Sequence, residues 1–183
     1  MPTKNNPKPK KRGGGVLIAV KKELNPKKTI LPIVSEFGKA EQVCVGITLA
    51  DGQQKNICCA YIPGYSGIQV SSHLRSLREN PTLLDNIIIV GDYNMPNVNF
   101  NAENASEDLR IERRTPFRDM ARFFLDWGLT QFNHIINRNN VTLDLVLSYL
   151  NLEVISANPL VRIDVHHPAI LINLIEDEVS VWE

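Results

Sequence analysis

The sequence predicts an α+β domain built in layers, and three observations carry that expectation. Two apolar runs, Gln42 to Leu49 and Lys55 to Ile62, flank Ala50-Asp51-Gly52-Gln53. Asp-Gly between apolar runs is a strong hairpin signal. Ile87-Ile88-Ile89-Val90 is a continuous β-branched run, the signature of a strand covered on both faces. Apolar residues at helical spacing appear twice, as Val70, Leu74 and Leu77, and as Phe117, Met120, Ala121, Phe124 and Leu125. Strands, helix, central strand, helix and further strands in that order describe a layered domain with antiparallel hairpins.

Taken in order, residues 1–13 are rich in Lys, Pro and Asn and read as a disordered basic leader. The folded domain is expected over 14–176, followed by an acidic tail at 177–183. Val16 to Val20, an apolar run after glycines, reads as a buried strand. Pro63 and Gly64 close the hairpin. Ser66 is a candidate cap for a helix through Arg78, which Pro81 ends. Thr115-Pro116 opens the second helix, with Pro at the first helical position, and Gly128 closes it. Thr142 to Tyr149, Leu152 to Ser156 and Ala169 to Leu174 read as strands.

The chain has 183 residues, 43% of them hydrophobic, enough for one domain to bury a core. Its formal net charge is zero, so bulk charge does not argue for nucleic acid. The distribution is uneven: Lys4, Lys8, Lys10, Lys11 and Arg12 precede any acidic residue. That start reads as a solvated leader, a phosphate contact or a nuclear import signal. Cys44, Cys58 and Cys59 make an odd count with an adjacent pair, which is poor disulfide arithmetic. No His stands at zinc-ligand spacing from them. The reading is a reducing, intracellular compartment and no structural zinc. No apolar run approaches the ~20 residues that span a membrane, and no apolar segment of a secretory signal follows the basic start.

Four places carry candidate chemistry. Gly91-Asp92-Tyr93-Asn94 ends the β-branched strand, where catalytic groups gather outside the carboxyl ends of buried strands. Asp92 can take a proton from water, and Asn94 can hold a phosphate oxygen. The same residues are also the composition of a turn. Asp144 interrupts the apolar run Leu143-Asp144-Leu145-Val146-Leu147, where a carboxylate is costly unless paired, metal-bound or on a wet face. Asp164-Val165-His166-His167-Pro168 places two histidines beside a carboxylate, either a phosphate or metal site or a plain loop. Tyr61 ends the hairpin, either as a phosphate donor or as a packed strand aromatic.

Together, and in order, these pieces resemble the endonuclease domain of non-LTR retrotransposons, a branch of the endonuclease/exonuclease/phosphatase superfamily. The stretches that carry the resemblance are Arg12-Gly13-Gly14-Gly15-Val16-Leu17-Ile18-Ala19-Val20, Cys59-Ala60-Tyr61-Ile62-Pro63, Ile89-Val90-Gly91-Asp92-Tyr93-Asn94-Met95-Pro96, Leu143-Asp144-Leu145-Val146-Leu147-Ser148 and His166-His167-Pro168. The resemblance runs from about Arg12 to about Leu174. It implies a four-layered α/β/β/α sandwich (DNase I-like), here missing the first strands. It implies Mg²⁺- or Mn²⁺-dependent cleavage of DNA phosphodiesters, in a polyprotein with a reverse transcriptase. By position, Asp92 looks like the residue that orients or deprotonates the attacking water, and Asn94 like its phosphate-facing partner. Tyr61 looks like a phosphate contact, His166 like the group on the scissile phosphate, and Asp144 like the carboxylate that orients that His.

The sequence departs from the pattern in two places. The family's Asn motif and metal-binding Glu precede the Gly-Gly-Gly-Val stretch. Here only the leader precedes it, and Glu23 and Glu36 fall too late. The family's Asp before the final His is matched by Val165, with Asp164 one residue away as a weak substitute beside Asp92 for metal contact. One well-placed charged group is worth on the order of 10²–10³ in rate, so weak or absent nuclease activity is expected. Without the first strands, an apolar edge near Val16 to Val20 and marginal solubility are also expected. Two other functions fit the same residues: a phosphatase of the superfamily, or a non-catalytic DNA-binding remnant using Arg110, Arg113, Arg114 and Arg118 on phosphates.

Overall fold

In a computed structural model the described residues are 15–31, 40–63, 67–96 and 115–175. The Asp51-Gly52 signal produces the expected hairpin. β2 (Glu41–Thr48) pairs antiparallel with β3 (Gln54–Tyr61) over their full lengths. The turn is held by Leu49 N–H donating to Gln53 O, and by Gln53 N–H donating to the Asp51 side chain. β1 (Lys27–Thr29), a short strand with no apolar pattern to announce it, adds to the outer edge of β2.

Helix α1 (Gly67–Arg78) carries the chain across to β4 (Ile87–Asp92), which pairs parallel to β3. Parallel neighbours require such a crossover. Pro81 does more than end α1. It opens a further short helix, α2 (Pro81–Leu84), whose Leu83 and Leu84 are buried. Helix α3 (Thr115–Asp126) follows, then β5 (Thr130–Gln131), β6 (Asp144–Ser148), β7 (Leu152–Ser156) and β8 (Ile170–Leu174). The main sheet has six strands in the order β1-β2-β3-β4-β6-β5, and β7 and β8 form a second sheet of two. The α+β class expected from the pattern is the class observed.

The core lies between the helices and one face of the main sheet. Leu74 and Leu77 of α1 and Met120 and Phe123 of α3 cluster with Ile87, Ile89, Leu145 and Leu147 of the central strands. Each such fully buried side chain stabilises the fold by about 1.5–3 kcal/mol relative to exposure. The β-branched run is not equally covered on its two faces. Ile87 and Ile89 are fully buried, whereas Ile88 and Val90 are only half-buried. The strand alternates, and among the described residues the helices cover one side.

The expected strand at Val16 to Val20 does not form. Residues 15–21 carry no strand assignment and Leu17 is 87% exposed. An apolar run becomes a strand only where a neighbouring edge pairs its backbone groups, and among the described residues nothing pairs with this one. The strand expected from Thr142 begins at Asp144. The leader, the acidic tail, Glu36, Ser66, Arg110, Arg113 and Arg114 lie outside the described residues. No described helix is long and apolar enough to cross a membrane.

Candidate active site

Strand register builds the site. Asp92 is the backbone partner of Tyr61 on one side and of Asp144 on the other. Paired residues share a face of a sheet, so these three side chains stand in one row on the face away from the helices. Tyr93 alternates to the other side. Its ring is fully buried, and its hydroxyl lies 2.8 Å from Nε2 of His73 on α1. His73 Nδ1 meets Gln42 Oε1 at 2.6 Å, and Gln42 donates in turn to Ser76 Oγ. This buried chain of side chains anchors the residue between Asp92 and Asn94.

Gly91 is required by the close approach of β3. A Cβ there would lie 1.9 Å from the carbonyl oxygen of Ala60, at a φ of 156°. Asn94 adopts the left-handed region at φ 49°, which Asn tolerates better than most residues. Its backbone N–H donates to Asp92 Oδ1 at 2.9 Å. Its carboxamide donates one hydrogen to Asp92 Oδ2 (2.7 Å) and the other to Ile62 O (2.9 Å). Both amide hydrogens are therefore engaged inside the protein. Asn94 holds Asp92 in place and has no hydrogen left for a phosphate, contrary to the role the resemblance implied.

The histidine against the carboxylates is His167, not His166. His167 Nδ1 lies 3.0 Å and 3.2 Å from the two Asp144 oxygens, so Nδ1–H donates and Nε2 turns toward Asp92 Oδ2 at 3.8 Å. His166 is exposed, and its contributions are through the backbone. The reason is the local turn. Asp164 Oδ1 accepts the N–H of His166 (2.9 Å) and of His167 (3.3 Å). This tight Asx-type turn rotates the chain by one position. It engages Asp164 Oδ1, and Asp164 is not one of the residues whose donor atoms cluster with Asp92. Among the described residues, Asp92, Asp144 and His167 are the group whose donor atoms all lie within 4.8 Å of one another.

Two buried asparagines pin this arrangement from the β5–β6 connection. Asn133 Nδ2 donates to Asp144 O at 2.7 Å, and Asn137 Nδ2 donates to His166 O at 3.1 Å. Neither was marked by the sequence. A carboxamide that bonds distant backbone leaves no spacing signal. His73, Asn133 and Asn137 are the residues that sequence reasoning missed; His167 is marked as one of a candidate pair, and the resemblance gives the role to its neighbour His166.

The electrostatics fit a shared positive charge. Burial raises the Asp92 pKa, partly offset by the Asn94 N–H and by His167. Burial likewise raises Asp144, against the pull of His167. For His167, burial works to lower the pKa, but the charge and hydrogen bond of Asp144, with Asp92 and Asp164 beyond, outweigh it and leave it raised. Asp164 is lowered chiefly by the His166 N–H. The two clustered carboxylates and the imidazole all titrate upward, so the cluster holds a proton more readily than the free groups would.

The six-stranded mixed sheet with its helices and second small sheet defines an α+β, DNase I-like fold. The chain is similar to the endonuclease domain of TRAS1, a telomere-specific non-LTR retrotransposon, with a TM-score of 0.54 and 15% identity over 73% of this chain. It spans 61% of that domain's length. At this identity the likeness establishes the fold. No family model and no curated protein matches the sequence.

Proposed function

We propose that the chain is a divalent-cation-dependent DNA phosphodiesterase domain of the retrotransposon endonuclease type, with low turnover. The observation that carries this reading is the His167 imidazole held between the carboxylates of Asp92 and Asp144 at the end of two paired central strands. Two carboxylates and an imidazole are suitable donors for a divalent cation, and their atoms are close enough to share one. Asp92, Asp144 and His167 would hold it, and when bound it would act as a Lewis acid on a phosphoryl oxygen.

The chain's own groups have distinct tasks. Asp144 accepts Nδ1–H and fixes the ring, so Nε2 presents either a lone pair to the cation or, when protonated, an N–H to a phosphate oxygen. Both states put positive charge at the same point, where negative charge develops on a five-coordinate phosphorus. Asp92, clamped by Asn94, takes a proton from the attacking water as the water oxygen bonds to phosphorus. The bond from phosphorus to the leaving sugar oxygen breaks, and solvent protonates that oxygen. Tyr61, in the same row as Asp92, would donate its hydroxyl to the phosphate.

Low turnover follows from the donor set. Mg²⁺ takes near-octahedral oxygen sites, usually one or two carboxylates with waters, and here one of the two carboxylates is already engaged by the imidazole. Imidazole suits Mn²⁺ better than Mg²⁺. The test is nicking of supercoiled plasmid by the purified chain. Slow nicking is expected, faster with Mn²⁺ than with Mg²⁺ and abolished by His167→Ala. Nicking that survives His167→Ala, or that proceeds at full enzymatic rate in Mg²⁺, would overturn the reading.

A further inference from the structure

The three cysteines all lie on the β2–β3 hairpin, and the catalytic cluster uses none of them. Strand register sorts them. Cys44 of β2 is the direct backbone partner of Cys58 of β3. Both are fully buried, in the core cluster with Val70, Leu74 and Tyr93. Cys59 alternates to the opposite face of the sheet, where its partner on β2 is Val43. Its thiol stands away from the other two, although it is next to Cys58 in sequence. The odd count in the sequence resolves into one matched pair and one separate thiol.

The kind of pairing sets the distance between the two. In an antiparallel ladder, facing residues alternate between pairs that exchange backbone hydrogen bonds, with Cα atoms about 5.5 Å apart, and pairs that do not, about 4.5 Å apart. Asn56 N–H donates to Asn86 O and Ile62 N–H donates to Asp92 O, both on the β4 side of β3. Cys58 lies at even spacing from both, so its backbone groups also turn toward β4 and exchange no hydrogen bond with Cys44. The Cys44–Cys58 pair is therefore of the closer kind. A Cα separation of about 4.5 Å lies inside the range of about 4.4–6.8 Å that a disulfide spans. The two thiols already hydrogen-bond to one another. That hydrogen bond, and then burial, raises the Cys58 thiol well above its ordinary value. Thiolate is the attacking species, so exchange is slow in the closed fold and proceeds when the hairpin opens.

We propose that Cys44 and Cys58 form a redox site, a dithiol that closes to a cross-strand disulfide in exchange with a low-molecular-weight disulfide such as glutathione disulfide. One cysteine thiolate attacks a glutathione sulfur, forms a mixed disulfide and releases one glutathione thiolate. The other cysteine thiolate attacks the protein sulfur of that mixed disulfide and releases the second glutathione thiolate. Two cysteine sulfurs are oxidised, two glutathione sulfurs are reduced, and the two cysteine protons end on the two glutathione thiols. Closure ties β2 to β3 across their turn and restricts the unfolded chain, so the oxidised form resists unfolding. Once closed, the disulfide is shielded in the core from reductants. The site is independent of the phosphodiesterase reading.

The test equilibrates the full chain with defined mixtures of reduced and oxidised glutathione, in native buffer and in concentrated urea. Acid quenching, alkylation and mass spectrometry then count the free thiols. Whatever the disulfide adds to folding appears as a preference for closure in the folded chain. A loop of this size is expected to favour closure about a hundredfold more in native buffer than in urea. The product is expected to be a single chain lacking two hydrogens, and Cys59→Ser is expected to form it equally. Cys44→Ala and Cys58→Ala are each expected to form no intrachain disulfide. A native preference below about tenfold overturns the proposal. So does a disulfide that Cys59→Ser abolishes, or one found only between chains. The urea midpoint gives an independent readout on Cys59→Ser, which retains both core thiols. It is expected to be higher for the oxidised than for the reduced form, and an equal or lower midpoint overturns the proposal.

Discussion

Asp92 and Asp144 are direct backbone partners across the antiparallel β4–β6 ladder, and this pairing is what brings two carboxylates distant in sequence to one face. The His167 ring then bridges them. The cluster owes its geometry to sheet register first and to a loop turn second, and each of the following predictions disturbs one of those supports or the core beneath them.

The two histidines should separate cleanly by substitution. His167→Ala is expected to weaken Mn²⁺ binding by at least about tenfold, because it removes one of three donors. Asp144→Asn should cost about 10–100-fold by replacing a charged metal donor with a neutral carboxamide and weakening the hydrogen bond that orients the ring. His166→Ala should leave Mn²⁺ affinity within about twofold, a tolerance that reflects ordinary surface substitution. Isothermal titration of the three variants checks this. A larger loss from His166→Ala than from His167→Ala would reverse the assignment.

Gly91→Ala should be among the most damaging single changes in the chain. Its Cβ would meet the Ala60 carbonyl at 1.9 Å, and backbone on both sides resists movement. Forced relief of such overlap costs about 3 kcal/mol or more, and would displace Asp92 next to it. Urea unfolding at neutral pH measures the loss. A destabilisation below about 1 kcal/mol would show that β3 and β4 are not held as closely as the structure places them.

His73 should make the fold acid-sensitive. Burial lowers its pKa from 6.5 to about 4. Well above pH 6.5 the ring is neutral whether the chain is folded or unfolded, and the full stability is present. As pH falls from 6.5 toward 4, the unfolded chain gains a proton that the folded chain refuses, so stability is lost across that window. The total loss approaches about 3 kcal/mol, since each pH unit separating the two ionisations is worth about 1.4 kcal/mol. Urea midpoints between about pH 7.5 and pH 4.5 should therefore fall more steeply for the unmodified chain than for His73→Gln, which keeps a hydrogen-bonding amide and cannot titrate. Equal slopes would mean that His73 is hydrated or protonated in the folded state.

Asn137→Asp is a selective probe of the loop that positions His167. The substitution retains an oxygen to accept from the Asn139 and Val141 N–H groups, but removes the hydrogen donated to His166 O. With that tether lost, His167 should drift from Asp144, and its raised pKa should fall toward the ordinary histidine value. A titration of histidine ring resonances by NMR reads this directly. An unchanged His167 titration would assign the anchoring to Asp164 and to the Arg138 N–H on Val165 O instead.

The sequence by itself determined the local elements and the chemical vocabulary. Asp51-Gly52 specified a hairpin because few dipeptides accept its turn. The run Ile87 to Val90 specified a central strand, and Asp144 stood out because a carboxylate amid Leu and Val needs a partner. Those signals are short-range, carried by residues within a few positions of one another. The tertiary structure decided the rest. Register aligned Tyr61, Asp92 and Asp144 in one row. The Asp164 turn rotated His167 inward and His166 out, and the approach of Ile62 O engaged the amide hydrogen that Asn94 would have offered a phosphate. Val16 to Val20 stayed unpaired for the same reason: a strand exists only where a neighbour's edge meets it. Which face a side chain takes depends on partners far along the chain, and a one-residue difference in pairing or turn reverses it.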